Sequence, residues 1–389
     1  MGITTSGTTG IALQFQNYFS KELLSIVQQE TILDQFGMKA PIPKNNGNKA
    51  ISMFRFGSPS IGSVQNLTTA GEGTPISTSN YRALVLNRLE KTLSQYGQVI
   101  GLTDILRATD LFNSLQQATK TSGLDMALWV DSVIRNTLVG SNLLVSGSSI
   151  GTGIESSISN DDAVNVNANA NPTGIKVYGN PATLTAQSFS DLNSATTAAN
   201  ATMTASAVLD SMTRLKRNRA PMINGGYVLA TDPRVSRDLM RDTDWLNASN
   251  YGNKGTPFYK GEVGSIYGCR VVTQTNSFVS TGSGTAGDEF VYQATPVGGG
   301  LTAGKDIIAS FFLGNEAFGI PALTGDDPLS PKIVITDTPD KSDPLNQLVT
   351  VGVKLYFAAL RLAAGNTAAT NTNNPVWYLV HRTKTSTTL

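Results

Sequence analysis

The chain has 389 residues, 29 basic against 28 acidic, and a formal net charge of +1; it lacks the basic excess with which nucleic-acid binders neutralise phosphates, which excludes DNA recognition as its main task. Charged residues are 15% of the chain against roughly 25% in ordinary soluble domains, and Gly, Ser, Thr and Asn fill the difference. Such a surface suits a protein that hides much of itself against neighbours, because hydroxyls and amides are easier to satisfy there than ions, and the length favours two or three lobes over one core.

Residues 11–36 carry Phe15, Phe19, Leu23, Ile26, Leu33 and Phe36 on one helical stripe, the pattern of an amphipathic helix. Gly37 and the following KAPIPKNNGNK end it, with Pro41 and Pro43 blocking continuation, so that stretch reads as an exposed connector. ISMFRFG (51–57) and YRALVLNRLEKTLSQYGQVIGLT (81–103) read as strands joined by a long small-polar tip. An isolated two-stranded ribbon is only marginally stable in water, so this one needs something outside its own subunit to lie on.

From Asp104 to about Gly140 the pattern turns helical, with Leu124, Leu128, Ile134 and Leu138 on one side and Met126, Val130 and Val133 on another. That predicts a central helix packed on more than one face. Residues 141–190, poor in large apolar side chains, read as a surface insertion. A helix near 190–219, a strand at 225–233, a short helix VSRDLMRD, and strands SIYGCRVVTQT and IIASFFLG follow. KIVITD (332–337), 348–364 and 376–383 make a strand-rich end, giving an α+β class.

The motifs that could carry chemistry are weak. GSGTAG (Gly282, Gly284, Gly287) has dinucleotide-binding spacing, but DEFVYQ after it reads as strand where the site needs a helix N-terminus. GGLTAGKD (Gly299, Gly304, Lys305) puts Asp306 where a Mg²⁺-binding hydroxyl belongs. His381 is the only histidine and Cys269 the only cysteine, so triads and zinc sites are poorly supported and an internal disulfide is excluded. Asp326, Asp327, Asp337, Asp340 and Asp343 form an acidic loop without EF-hand spacing. RLKRNR (Arg214 to Arg219) suits a helix C-terminus better than packaged nucleic acid. Asn66, Asn200 and Asn247 head glycosylation triplets that matter only on secretion, and the N-terminus lacks signal-peptide character, so cytoplasmic synthesis is expected. No apolar run approaches the roughly 18 residues of a membrane helix.

Several stretches, in order, resemble the major capsid proteins of tailed bacteriophages with the Hong Kong 97-like fold, in particular the short-tailed-phage branch. They are LTTAGEGTP (67–75), LSQYGQVIGLTDIL (93–106), YVLATDPRVSRDLMRDTDWLNASNY (227–251), KGEVGSIYGCRVV (260–272), LGNEAFGIPAL (313–323) and DPLNQLVTVGVK (343–354). Asp232 departs from the pattern, which has His before the proline.

The resemblance implies an N-terminal arm (1–45), an extended β-ribbon loop (46–103), a peripheral domain with spine helix and insertion (104–189), an axial domain (190–327) and peripheral return strands (328–389). It implies no catalytic residue, cofactor or metal. Assembly is then expected through the arm, at Phe15, Phe19, Leu23 and Ile26, and through the ribbon, at Phe54, Phe56, Leu84 and Leu86. The expected partners are further copies in pentamers and hexamers, scaffolding, portal and decoration proteins, and double-stranded DNA held non-specifically inside a virion. A nanocompartment shell of the encapsulin kind and, from a different class, a nucleotide-dependent enzyme are the alternatives.

Overall fold

The computed structural model of the chain describes residues 31–42, 50–56, 86–109, 114–139, 175–178, 202–217, 219–246, 262–280, 292–294, 307–323, 332–336, 345, 347–362 and 377–384. After a 3-10 turn at Leu33–Phe36 come strands β1 (Met38–Ile42), β2 (Ala50–Phe56), β3 (Leu86–Thr92) and β4 (Ser94–Thr103), helices α1 (Asp104–Thr109) and α2 (Ser114–Val139), and β5 (Ile175–Tyr178). The middle holds α3 (Ala205–Arg217), β6 (Tyr227–Thr231), α4 (Pro233–Met240), β7 (Glu262–Ile266), β8 (Cys269–Thr273), β9 (Phe278–Ser280), β10 (Tyr292–Ala294), β11 (Ile307–Leu313) and β12 (Phe318–Leu323). The last strands are β13 (Lys332–Thr336), β14 (Leu348–Phe357), β15 (Leu360–Arg361) and β16 (Tyr378–Lys384).

An eight-stranded sheet organises the molecule. Strand β11 pairs antiparallel with β16 along its whole length on one side, and on the other with β6 at Phe311–Leu313 and with β9 at Ile307–Ala309. Strands β6 and β8 run parallel, β7 closes an antiparallel hairpin on β8, and β5 lies parallel to β16. Every residue of β6 and of β16 is buried, as expected of strands covered on both faces, which read as continuous rather than alternating runs. Leu229, Val271, Ile308, Phe312 and Leu379 share one core with Val208, Met212 and Leu215 of α3 and Val235 and Leu239 of α4. Val228, Ala230, Phe311, Leu313, Tyr378 and Val380 share the other with Met126, Val130, Ile134 and Leu138 of α2.

Helix α2 also covers a second, three-stranded sheet in the order β13-β14-β4. Here period-two alternation is clear: Val349, Val351, Val353, Leu355 and Phe357 are buried, while Thr350, Gly352, Lys354 and Tyr356 are half-buried. Trp129 of α2 fills the join, its ring centroid 4.3 Å from that of Tyr96 and 6.0 Å from that of Phe357. In the second half of α2 every side chain described is at least half-buried, in line with the two-sided pattern, but Leu124 is exposed.

Three expectations are corrected by pairing partners. The connector after Gly37 is not free: Met38–Ile42 pairs parallel with β12, with Ala40 buried, and Pro41 is tolerated because β1 is an edge strand. The run 81–103 is not one strand, since it divides at Leu93 between the β2–β3 ribbon and the three-stranded sheet. SIYGCRVVTQT is a hairpin, turning at Tyr267 and Gly268, both with positive φ (52° and 81°), the geometry that two-residue hairpin turns favour. Strands β16, near the C-terminal end, and β5, in the segment 104–189, both join the eight-stranded sheet with strands of the 190–327 segment.

Leu33 and Phe36, which the helical stripe assigned to the arm, belong to this chain's own core beside α2. The rest of that stripe, with Phe15, Phe19, Leu23 and Ile26, lies outside the described residues.

Candidate functional site

The ribbon β2–β3 is anchored through Met53 and leaves Phe54 bare. Met53 is 7% exposed and forms a small cluster with Ala40 and Leu362. It sits so closely on β12 that a Cβ at Gly319 would lie 2.5 Å from its Sδ and Cε. The next residue, Phe54, is 60% exposed. Alternation puts neighbours on a strand on opposite faces, so anchoring through Met53 turns Phe54 outward. The antiparallel register pairs Phe54 with Arg88 and, two positions on, Phe56 with Leu86. Leu84 lies outside the described residues.

A second bare surface was not anticipated. On the uncovered face of the three-stranded sheet, Val334, Gly352 and Val99 stand in one row across β13, β14 and β4, with Val334 and Val99 exposed. Gly97 and Gly101 keep that face low. At one end of the sheet the Asp104 N–H donates to the Gln347 carbonyl at 3.0 Å, which brings α1 beside the start of β14. Ile105 and Leu106, which follow Asp104, and Leu345 and Leu348, within two residues of Gln347, are all exposed, Ile105 at 71% and Leu345 at 77%. Exposed large apolar side chains, where they gather, mark interaction surfaces. The sequence signal was available in the adjacent pair Ile105-Leu106, which the helical reading of 104–140 absorbed into a buried spine.

The residues considered for chemistry are placed differently. His381 is fully buried in β16, its Nδ1 3.0 Å from Ser211 Oγ and its ring 6.0 Å from that of Phe312. Cys269 is buried in β8, and desolvation pushes its thiol well up, the opposite of what a nucleophilic cysteine needs. Arg214, Lys216 and Arg217 occupy the last turn of α3 as expected; burial holds the Arg214 guanidinium below its ordinary value while Asp210 opposes the shift. Asp232, the departure from the pattern, caps α4: its Oδ1 accepts the Arg234 N–H at 2.8 Å and Arg234 Nε at 3.0 Å, with Pro233 at the first helical position. This is the usual helix-start chemistry.

The glycines Gly282, Gly284 and Gly287, the segment from Gly299 to Asp306, and the acidic residues Asp326, Asp327, Asp337, Asp340 and Asp343 lie outside the described residues, as do Asn66, Asn200 and Asn247. The next described elements after the two Gly-rich motifs are strands, β10 and β11, whereas phosphate binding uses a helix N-terminus. Among the described residues no cluster of His, Cys, Asp or Glu could hold a metal ion, and no helix is long and apolar enough to cross a membrane.

Solved structures share this arrangement nearly end to end. The cyanophage Pam1 capsid subunit superposes with a TM-score of 0.57 at 15% identity, covering 88% of this chain and 86% of that one. The capsid of Ralstonia phage GP4 gives 0.56 at 12% identity, covering 92% of both chains. The chain has a phage capsid fold. The capsid structure of cyanophage P-SCSP1u agrees, at 0.51 and 14% identity over 91% and 88%. No family model matches the sequence, and no curated protein is significantly similar to it. At such identity the capsid fold is what is shared.

Proposed function

We propose that the chain is the major capsid protein of a tailed bacteriophage, self-assembling into the icosahedral shell that encloses DNA. The observation that carries this reading is near-complete coverage in both directions: 86–92% of this chain and of three phage capsid subunits align without a domain left over on either side. The Phe54 face of the ribbon supports it. A two-stranded excursion that leaves a large aromatic side chain uncovered gains stability when that side chain is buried on another copy.

The mechanism is geometric. Each ribbon, with Phe54, Phe56, Leu84 and Leu86, lies on a neighbouring subunit, and the arm residues Phe15, Phe19, Leu23 and Ile26 bury their stripe likewise. The contacts are heterologous, and a shell results because they close. The same chain serves pentamers and hexamers. In the Hong Kong 97-like scheme the segment 104–189 apart from β5, with strands β13 to β15, forms the peripheral part, and 190–327, joined by β5 and β16, the axial part. The chain performs no catalysis. Its partners are its own copies, a scaffolding protein, a portal, decoration proteins and non-specifically held double-stranded DNA, and it resides in the virion after synthesis in the host cytoplasm.

Negative-stain microscopy of the purified chain, alone and with its scaffolding partner, tests this. Large closed particles are expected; a stable monomer under every assembly condition overturns the proposal.

A further inference from the structure

One end of the eight-stranded sheet gathers the left-handed backbone of the molecule. Among the described residues, the non-glycine positions with positive φ are Arg219 (55°), Asn224 (48°), Tyr267 (52°) and Glu316 (56°). They lie in turns that meet where β6 and β8 begin and β11 ends. The Tyr227 N–H there donates to the Gly268 carbonyl at 3.2 Å, and the Asn315 N–H to the Pro221 carbonyl at 2.8 Å. Asparagine tolerates this conformation; arginine, tyrosine and glutamate are disfavoured in it. Backbone outliers of this kind collect at functional surfaces.

The same end carries charge that the chain as a whole lacks, because the structure divides the basic run Arg214 to Arg219. Arg214 is half-buried and acted on by Asp210. Lys216, Arg217 and Arg219 are exposed, and no ion pair or side-chain hydrogen bond engages them among the described residues. The dipole at the end of α3 amounts to about half a negative charge, so it accounts for one of these cations and leaves the other two in excess. Arg219 lies beyond that helix, its N–H on the Lys216 carbonyl at 2.9 Å, at a left-handed position that ordinarily takes glycine or asparagine. Glu316, the acidic residue on the adjoining turn, is half-buried. Asn224 is exposed, and nothing stands within 4 Å of the point a Cβ would take on Gly225, so the backbone there is open to close approach.

We propose that this end of the central sheet is a contact surface for the phosphate backbone of double-stranded DNA, with Lys216, Arg217 and Arg219 as its charged contacts and Asn224 as a hydrogen-bond donor beside them. Lysine, arginine and asparagine side chains are the groups that meet phosphates, and such contacts carry no sequence information. A chain of net charge +1 then touches DNA at one local point instead of wrapping it. The choice of DNA as the polyanion rests on the shell-forming reading, in which the chain encloses it.

Fluorescence anisotropy of a labelled random-sequence duplex with the full-length, unassembled chain tests the surface. Three phosphate contacts give a slope of about −2.7 in log affinity against log salt, so binding should weaken about fortyfold between 50 and 200 mM salt. Lys216→Gln, Arg217→Gln and Arg219→Gln combined should abolish this salt-dependent binding. Arg241→Gln removes an exposed cation at the opposite end of α3, where the neighbouring Asp242 accepts the Ala205 N–H at 2.8 Å, and should leave the slope unchanged. Arg219→Gly separates a contact from a structural role: glycine suits a φ of 55°, so the thermal midpoint should rise while the slope falls by about one. No binding by the wild type at 50 mM salt, a wild-type slope in the triple variant, or an Arg219→Gly chain that is more stable and binds DNA as before each overturns the proposal. Negative-stain microscopy is scored separately. The triple variant should form closed particles as the wild type does, and a wild type that binds DNA with this slope yet forms no particles sinks the shell reading alone.

Discussion

Strands β6 and β2 are both short and mostly apolar, YVLAT against AISMFRF, yet they end in opposite situations. Every residue of β6 is buried between α3 and α4 on one side and α2 on the other. In β2, Met53 is buried and Phe54 beside it stands in solvent. Fully burying a Phe is worth about 1.5–3 kcal/mol, so the central sheet has gained its hydrophobic stabilisation within one chain, while the ribbon keeps much of its share for another contact. On the proposed shell-forming function, folding and assembly draw on different surfaces of the same molecule.

Substitutions can break or sharpen that contrast. The largest effect on folding is expected from Phe312→Ala, which empties a fully buried position between Leu229 and Leu379 and should lower the urea-unfolding free energy of the unassembled subunit by about 3–5 kcal/mol. Gly226→Ala comes next. Its new methyl would lie 2.5 Å from the Gly268 carbonyl oxygen, a backbone atom that cannot rotate away, for a loss of about 1–3 kcal/mol in the same measurement. Asp232→Ala removes the cap of α4 and should cost about 1 kcal/mol, seen as a small drop in the unfolding midpoint.

Phe54→Asp should change the folding of the isolated subunit least, by no more than about 0.5 kcal/mol, while sharply reducing the yield of closed particles by light scattering and microscopy. Wild-type particle yield from that variant would show that the bare ribbon face does not carry assembly.

Much of the architecture was legible because it is written in short periods. The alternation of β14 and the two-sided apolar content of the second half of α2 are local patterns with local causes. The Tyr267-Gly268 turn was missed because the residues around it, Ile266, Val271 and Val272, have strong strand character and only one glycine marks the reversal. The connector at 38–42 was misread because its prolines are turn formers unless an edge position is available, and that edge is supplied by β12, some 280 residues later.

The candidate surfaces divide the same way. Phe54 was identifiable from its ribbon, whereas the row of Val334, Gly352 and Val99 joins residues from three strands and exists only once those strands pair. The sequence alone determined which residues are apolar and the type of most helices and strands, including the strand character of the runs after the Gly-rich motifs. Tertiary structure decided which apolar face is covered. Exposure depends on what arrives from elsewhere in the chain: it buries Leu33 and Phe36 beside Asp131, and it leaves Phe54, Val99 and Ile105 open to solvent.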